Sequence, residues 1–281
     1  MDGDRLGQTR QQTTSEYGLL GVRGVDFRID RVPASAGLAA LVERHWLVSW
    51  DLPEGRRAPV TLLPHPCVNL IVDRGQAMIG GVGRERFTYE CAGSGRVFGV
   101  KFRPGGFLPF LGQPVSQLTG EVRPLAWLWG AADAGRFAAD LAACPDLDAL
   151  VDVAERHLLA HWPAPDPEVA RVGEVVRALL HDRSVTRVSD VSGRFGMSPR
   201  SLQRLFERYV GVSPKWVLQR YRLHEAAARL AEGTAGTWGE VAAELGYFDQ
   251  SHFIRDFTRA VGMTPVAYAD ACTRHQHPVT T

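Results

Sequence analysis

The sequence predicts an α+β chain: a β-rich first part that closes in short helices, then an all-helical last part made of two helix-turn-helix units. Three observations lead there. Short runs of β-branched and aromatic residues, separated by Gly, Pro and Asp, fill residues 27–111. Apolar residues three and four apart take over from Val115 to Trp162. Finally, Ser184 to Ala267 carries the same short design twice, offset by about 51 positions, so that Leu202 pairs with Phe253, Arg204 with Arg255, Phe206 with Phe257, Gly211 with Gly262 and Pro214 with Pro265.

In chain order, residues 1–17 are rich in Gln, Thr, Gly and charge, a composition expected of a disordered tail. A unit over 18–162 follows. Its strands are expected around Val25–Ile29, Trp46–Trp50, Val68–Val72, Arg86–Glu90 and Val97–Phe102, with a short helix over Ala36–Glu43, and they suggest a sheet, sandwich or barrel. Leu125–Trp129, Phe137–Leu141 and Leu147–Leu159 read as two or three short helices, fit to form a dimer interface or to brace the chain's two parts. Pro163-Ala-Pro-Asp-Pro167 reads as an extended linker. The last unit, 168–281, opens with a helix marked by Val169, Val172, Val176, Leu179 and Leu180.

Within that unit each repeat is a helix, a glycine turn and a second helix. In the first, Gly196 can end one helix in the left-handed conformation, and Ser198-Pro199 supplies an N-cap and a proline at the first helical position of the next. Leu202, Leu205, Phe206 and Tyr209 form one buried stripe, and Arg200, Gln203, Arg204 and Arg208 face the other way. The second repeat follows the same logic. Thr237–Glu240 is a capping box, Gly246 breaks the helix, Asp249 caps its successor, Phe253 and Phe257 face inward, and Gln250, Ser251, Ile254 and Arg255 stay outside.

A helix that shows Arg and Gln near its N-terminus can place bidentate hydrogen bonds on guanine and adenine edges in a major groove. For one amphipathic helix the plainer account is a wet charged face; two repeats shift the balance. Residues 184–222 add eight basic side chains against two acidic ones, in a chain whose formal net charge is only +1.

The motifs Ser198-Pro-Arg-Ser-Leu-Gln-Arg-Leu-Phe206, Gly211-Val-Ser-Pro214, Gly246-Tyr-Phe-Asp-Gln-Ser-His-Phe253 and Gly262-Met-Thr-Pro265 resemble the DNA-binding domain of AraC/XylS-type transcriptional regulators. The resemblance covers roughly the last 115 residues. It implies two helix-turn-helix subdomains joined by a long helix, with both recognition helices in successive major grooves. Lys215–Ala231 suits the connector, at roughly 26 Å, with Trp216, Val217, Tyr221, Ala227 and Leu230 on its inner side. Carried over, the base-reading positions are Arg200, Gln203, Arg204, Gln250, Ser251, His252 and Arg255. Arg255 has a second use open to it, an ion pair with Asp256 or Glu240; His252 has capping or packing as its own, and Ile254 either meets a thymine methyl or packs. Arg187, Arg194, Arg208 and Lys215 are the expected phosphate contacts. A weaker resemblance, through Leu62–Ile71 and Val100–Gly106, joins the first half to the N-terminal parts of some of these regulators, where a cupin-like barrel that senses a small molecule or mediates dimerisation is common.

The partners implied are promoter or operator duplex DNA, a small-molecule effector, a second subunit and, for an activator, RNA polymerase. Trp46, Trp50, Phe98 and Phe102 are candidates to line an effector pocket, with core packing as the plainer role. Arg103-Pro-Gly-Gly106 offers an anion-holding loop or simply a tight turn. No cofactor, metal or catalytic set is expected: His45, His65 and Cys67 lack further ligands at metal spacing, and Cys67, Cys91, Cys144 and Cys272 are too scattered for a zinc site or a disulfide framework. No apolar run approaches membrane length and the N-terminus is polar, so a cytoplasmic protein is expected. Two other classes fit parts of the pattern. A DNA-repair methyl acceptor with an appended domain of this type needs a reactive cysteine, and a protein-interaction module needs only the paired helices.

Overall fold

The computed structural model describes residues 19–22, 26–182, 184–234 and 237–276. The expected N-terminal tail, 1–17, lies outside them, as does Val25 at the start of the first expected strand. Among the described residues nine strands come first: β1 (Leu19–Val22), β2 (Asp26–Pro33), β3 (Val42–Asp51), β4 (Arg57–Leu62), β5 (Asn69–Asp73), β6 (Gln76–Gly80), β7 (Phe87–Ala92), β8 (Ser94–Phe102) and, after two short helical segments, β9 (Val122–Pro124). They form two antiparallel sheets, of order β1-β4-β7 and β2-β3-β8-β5-β6-β9. Among the described residues no strand ladder joins the two sheets, so they pack face to face.

Local chemistry sets the register. The β5–β6 hairpin pairs Asp73 with Gln76 and turns through Arg74 and Gly75, at φ 48° and 76°. Two consecutive positive φ values make the tight turn whose twist matches the strands. Trp50, Leu52, Ala58, Val60, Cys91 and Val97 fill the space between the sheets. The other face of the large sheet is covered by helices, which is why β8 is buried at every position from Val97 to Phe102 instead of alternating. The expected helix over Ala36–Glu43 is not formed. Residues 36–41 are turns, closed by bonds from the amides of Leu38 and Ala39 to the Ser35 carbonyl, and β3 has begun by Val42.

The helices are α1 (Leu108–Leu111), α2 (Ala126–Trp129), α3 (Ala131–Ala142), α4 (Leu147–Ala160), α5 (Pro167–His181), α6 (Val188–Arg194), α7 (Pro199–Tyr209), α8 (Pro214–Ala231), α9 (Trp238–Glu244), α10 (Gln250–Val261) and α11 (Pro265–Gln276). The extended segment between α4 and α5 ends one residue earlier than the proline spacing suggests. Pro167 is the first residue of α5, and Asp166 caps it by accepting from the Glu168 amide.

One hydrophobic core runs from the large sheet (Leu70, Val100, Phe102) through α3 and α4 (Phe137, Leu158) into α5, α7 and the first half of α8 (Val172, Phe206, Val217). A second, around Phe253 and Phe257, is built from α9, α10, α11 and the second half of α8 (Leu223, Ala227, Leu230). The long helix therefore belongs to both cores. Trp216, expected on its inner side, is only half-buried.

A part-buried hydrogen bond fixes α4 to β3. Glu155 Oε1 lies 3.0 Å from His45 Nε2, and the same oxygen accepts from the Ser35 amide at 2.8 Å. Burial pushes the Glu155 carboxyl up, but hydrogen bonds from His45 and Ser35 outweigh it and bring the pKa down to about 2. A depressed carboxylate stabilises the fold above its unfolded pKa, near 4.5, and loses that contribution as pH falls through the folded value. Glu155→Gln is expected to cost on the order of 2–3 kcal/mol at pH 7. In urea unfolding the gap to the parent chain should be widest above about pH 5 and close as pH approaches about 2.

Candidate nucleic-acid interface

Both repeats form the turn that the sequence anticipates. In the first, Gly196 (φ 60°) makes the turn after α6, and Ser198 accepts from the Ser201 amide at 3.1 Å to start α7. In the second, Thr237 and Glu240 close a reciprocal capping box on α9, Gly246 (φ 69°) makes the turn, and Asp249 accepts from the His252 amide at 2.7 Å to start α10. The inward stripes are set by the same residues that define the period. Leu202, Phe206 and Tyr209 are buried on α7, and Phe253, Phe257 and Val261 on α10. Leu205, expected within the α7 stripe, is only half-buried.

The opposite faces reach solvent. Arg200, Gln203, Arg204 and Arg208 on α7 are exposed, as are Gln250, Ser251 and Arg255 on α10. His252 is half-buried; its ring meets Tyr247 edge-on at 5.4 Å and stands 3.3 Å from Asp256. Asp256 also pairs with Arg259 at 2.8 Å, and among the described residues Arg255 has no ion pair, so its guanidinium is at liberty for another partner. Ile254 packs against the second core. Phe248, one residue before the α10 cap, is 94% exposed. Sequence reasoning passed over it because its neighbours Tyr247 and Phe253 are core residues.

Of the expected phosphate contacts, Arg187, Arg208 and Lys215 are exposed, while Arg194 is held in an ion pair with Asp182. The basic count along 184–222 needs a correction. Arg220 is buried and donates to the Arg84 carbonyl, and Arg222 donates to the carbonyls of Thr186 and Gly246. Those two charges fasten the protein to itself. Composition counts a cation without knowing which side of a helix it occupies.

The four aromatic effector candidates fall in three places. Trp50 and Phe98 line a cleft of about 330 Å³ between the large sheet and α3–α4, together with Asp73, Arg74 and Arg96. Trp46 lies flat on Gly99, where a Cβ would come within 2.1 Å of its indole, and donates to Asn69 at 3.2 Å. Phe102 is fully buried against Phe107 and Phe110. Arg103 donates to the Ala39 carbonyl at 2.8 Å. The glycines after it serve close approach within the protein: a Cβ at Gly105 would sit 2.9 Å from Val172, and one at Gly106 2.3 Å from the Leu41 carbonyl oxygen.

Behind this seam lies a buried polar layer. Lys101 Nζ stands 3.5 Å from Glu43 Oε1. Burial pulls the Lys101 ammonium down while Glu43 opposes it. The rings of His65 and His224 stack 4.2 Å apart, linking the β4–β5 connection to α8. Burial first, then Lys101, holds His65 well below the usual imidazole range. Cys67 is buried beside them, and burial raises its thiol. Among the described residues no group of three or more His, Cys, Asp or Glu is placed to hold a metal ion. No described helix is long and apolar enough to cross a membrane.

Residues 191–271, from α6 to within α11, match the family model described as "Helix-turn-helix domain". Among curated proteins, this chain is 35% identical over 101 residues to the transcriptional activator NphR of a Rhodococcus species, covering 36% of this chain and 29% of that one. It is 34% identical over 116 residues to a Streptomyces lividans protein named as an AraC-like transcription regulator, covering 40% and 36%. The C-terminal helices are an AraC-type helix-turn-helix domain. The chain thus spans about a third of the length of these curated relatives. Residues 30–124 match a family whose model is described as "Domain of unknown function (DUF6597)". Among solved structures, ToxT from Vibrio cholerae O395 overlays 89% of this chain and 98% of its own, at 12% identity and a TM-score of 0.39, too slight a likeness to carry the fold.

The caps hold the exposed ends of the AraC-type helices in place. Asp249→Ala leaves the first-turn amides of α10 unanswered and should cost about 1 kcal/mol of stability. Chemical unfolding of the two chains side by side checks the value.

Proposed function

We propose that the chain is a sequence-specific transcription regulator that binds promoter or operator DNA through α7 and α10. The observation that carries this reading is the pair of capped helices whose inner stripes are locked into two cores while Arg200, Gln203, Arg204, Gln250, Ser251 and Arg255 remain exposed. Short, rigid helices with free Arg and Gln forks suit base edges in a major groove. Arg187, Arg208 and Lys215 serve as phosphate contacts that set register, and Arg194 joins them by leaving Asp182. His252 supports α10 through Tyr247 and Asp256 and meets the duplex only at the helix edge.

The proposed division is a sensing and dimerising unit over 18–162, a connection over 163–167 and a DNA-binding unit over 168–281. The cleft lined by Trp50 and Phe98 is the proposed effector pocket of the first unit. The NphR name favours activation, and RNA polymerase is the partner that this adds. The regulator is cytoplasmic and performs no catalysis of its own in this reading.

Selection of operator fragments from genomic DNA, followed by footprinting, tests the reading directly. Arg204→Ala should weaken binding to the selected site by about 1–3 kcal/mol and relax one base position. An unchanged footprint and affinity would remove Arg204 from the interface. Affinity measured by fluorescence anisotropy should fall steeply as salt rises from about 50 to about 200 mM. A flat profile would exclude phosphate contacts.

A further inference from the structure

Arg220, in the middle of α8, is only 4% exposed. Its guanidinium stacks over Trp216 at 4.4 Å, and one nitrogen donates to the Arg84 carbonyl at 2.6 Å. Its Nη1 is buried with no hydrogen-bond partner. Burial draws the group down to a pKa of about 10, so it remains a cation at neutral pH. A charged donor left unanswered below the surface is strongly unfavourable unless something supplies the missing acceptor.

Arg220 lines a cleft of about 800 Å³ enclosed by the β6–β7 loop, α8 and α10. Arg84 and Arg86 enter from the loop, and Arg255, Arg259 and His252 from α10. Two acids share the walls, Glu85 and Asp256, but Asp256 is already answered by Arg259 and His252. The balance is strongly positive. Arg86 is brought close by Gly262: a Cβ there would come within 2.6 Å of the guanidinium. Four planar forks not spent on Asp256, those of Arg84, Arg86, Arg220 and Arg255, come from three elements and suit oxyanions, since each guanidinium offers paired parallel donors.

We propose that this cleft binds a small, multiply charged anion, a phosphate ester or a polycarboxylate, with Arg220 at its floor and Arg84, Arg86 and Arg255 on its walls. A duplex phosphate does not fit the role, because a DNA backbone cannot descend to a side chain so deeply covered. The anion joins the β6–β7 loop to α10 and occupies Arg255, which the function proposed above gives to DNA. On that reading ligand and operator oppose one another, and the opposition is reciprocal.

The full chain is titrated with inorganic pyrophosphate and, separately, with citrate, at an ionic strength held constant with sodium chloride, and its melting temperature is followed. At least one probe should raise it saturably, and which one does so tells phosphate from carboxylate recognition. The double variant Arg84→Gln, Arg86→Gln, changed only at exposed positions, should lose most of the shift, as should Arg220→Met where it folds. No rise beyond that given by chloride, or the whole rise retained in the double variant, overturns the site. In anisotropy with operator DNA, saturating probe should weaken binding about tenfold in the parent chain and far less in the double variant. Equal weakening in both is plain screening and overturns the coupling. Failure to bind DNA at all would strike the regulator reading and leave the anion site to the melting experiment.

Discussion

The structure depends on the close contact at Gly105. With φ at 86° and no side chain, this residue lets Val172 of α5 and Tyr209 of α7 come directly onto the end of β8. Nearby, Thr119 donates to the Gly211 carbonyl at 2.6 Å, and Tyr209 donates to Asp166 at 2.8 Å. The sheet and the first helix-turn-helix unit are thereby built on one hydrophobic core. Whatever shifts β8 also shifts the underside of α7, because close-packed interiors transmit displacement instead of absorbing it.

The polar layer beside that seam stabilises less than its neighbours and specifies more. The pair of Lys101 with Glu43, and the stacked rings of His65 and His224, sit where apolar side chains would pack as well. Taking such groups from water costs about as much as their pairing returns. A sheet docked in any other register would leave the Lys101 and Glu43 charges unanswered.

The C-terminal half was legible in the sequence because its signals are local. Ser198, Thr237, Asp249, Gly196 and Gly246 each fix a cap or a turn within a few residues, and the apolar stripes of α7 and α10 repeat at helical spacing. The first half was legible only in part. Strands β4 and β6 are not marked in the sequence because Pro59 breaks the pattern of one and glycines bound the other, and their distant partners, β7 and β9, are not announced by local spacing. The false helix over Ala36–Glu43 had helical spacing, but its residues serve a turn that feeds β3. The same distinction holds for the charges. Arg204 could be placed outside by its period, whereas Arg220 and Arg222 became internal fasteners through contacts with Arg84, Thr186 and Gly246 that no spacing announces.

Helix α8 contains neither glycine nor an internal proline over Pro214–Ala231, and each of its halves is embedded in a different core. A rod of about 27 Å held at both ends in this manner resists bending. It acts as a calliper of fixed jaw width. On the proposed function, two reading heads mounted on it cannot adjust their separation to suit a sequence, and the distance between the two groups of bases would be set by the protein, with the DNA left to supply any adjustment by twisting or curving.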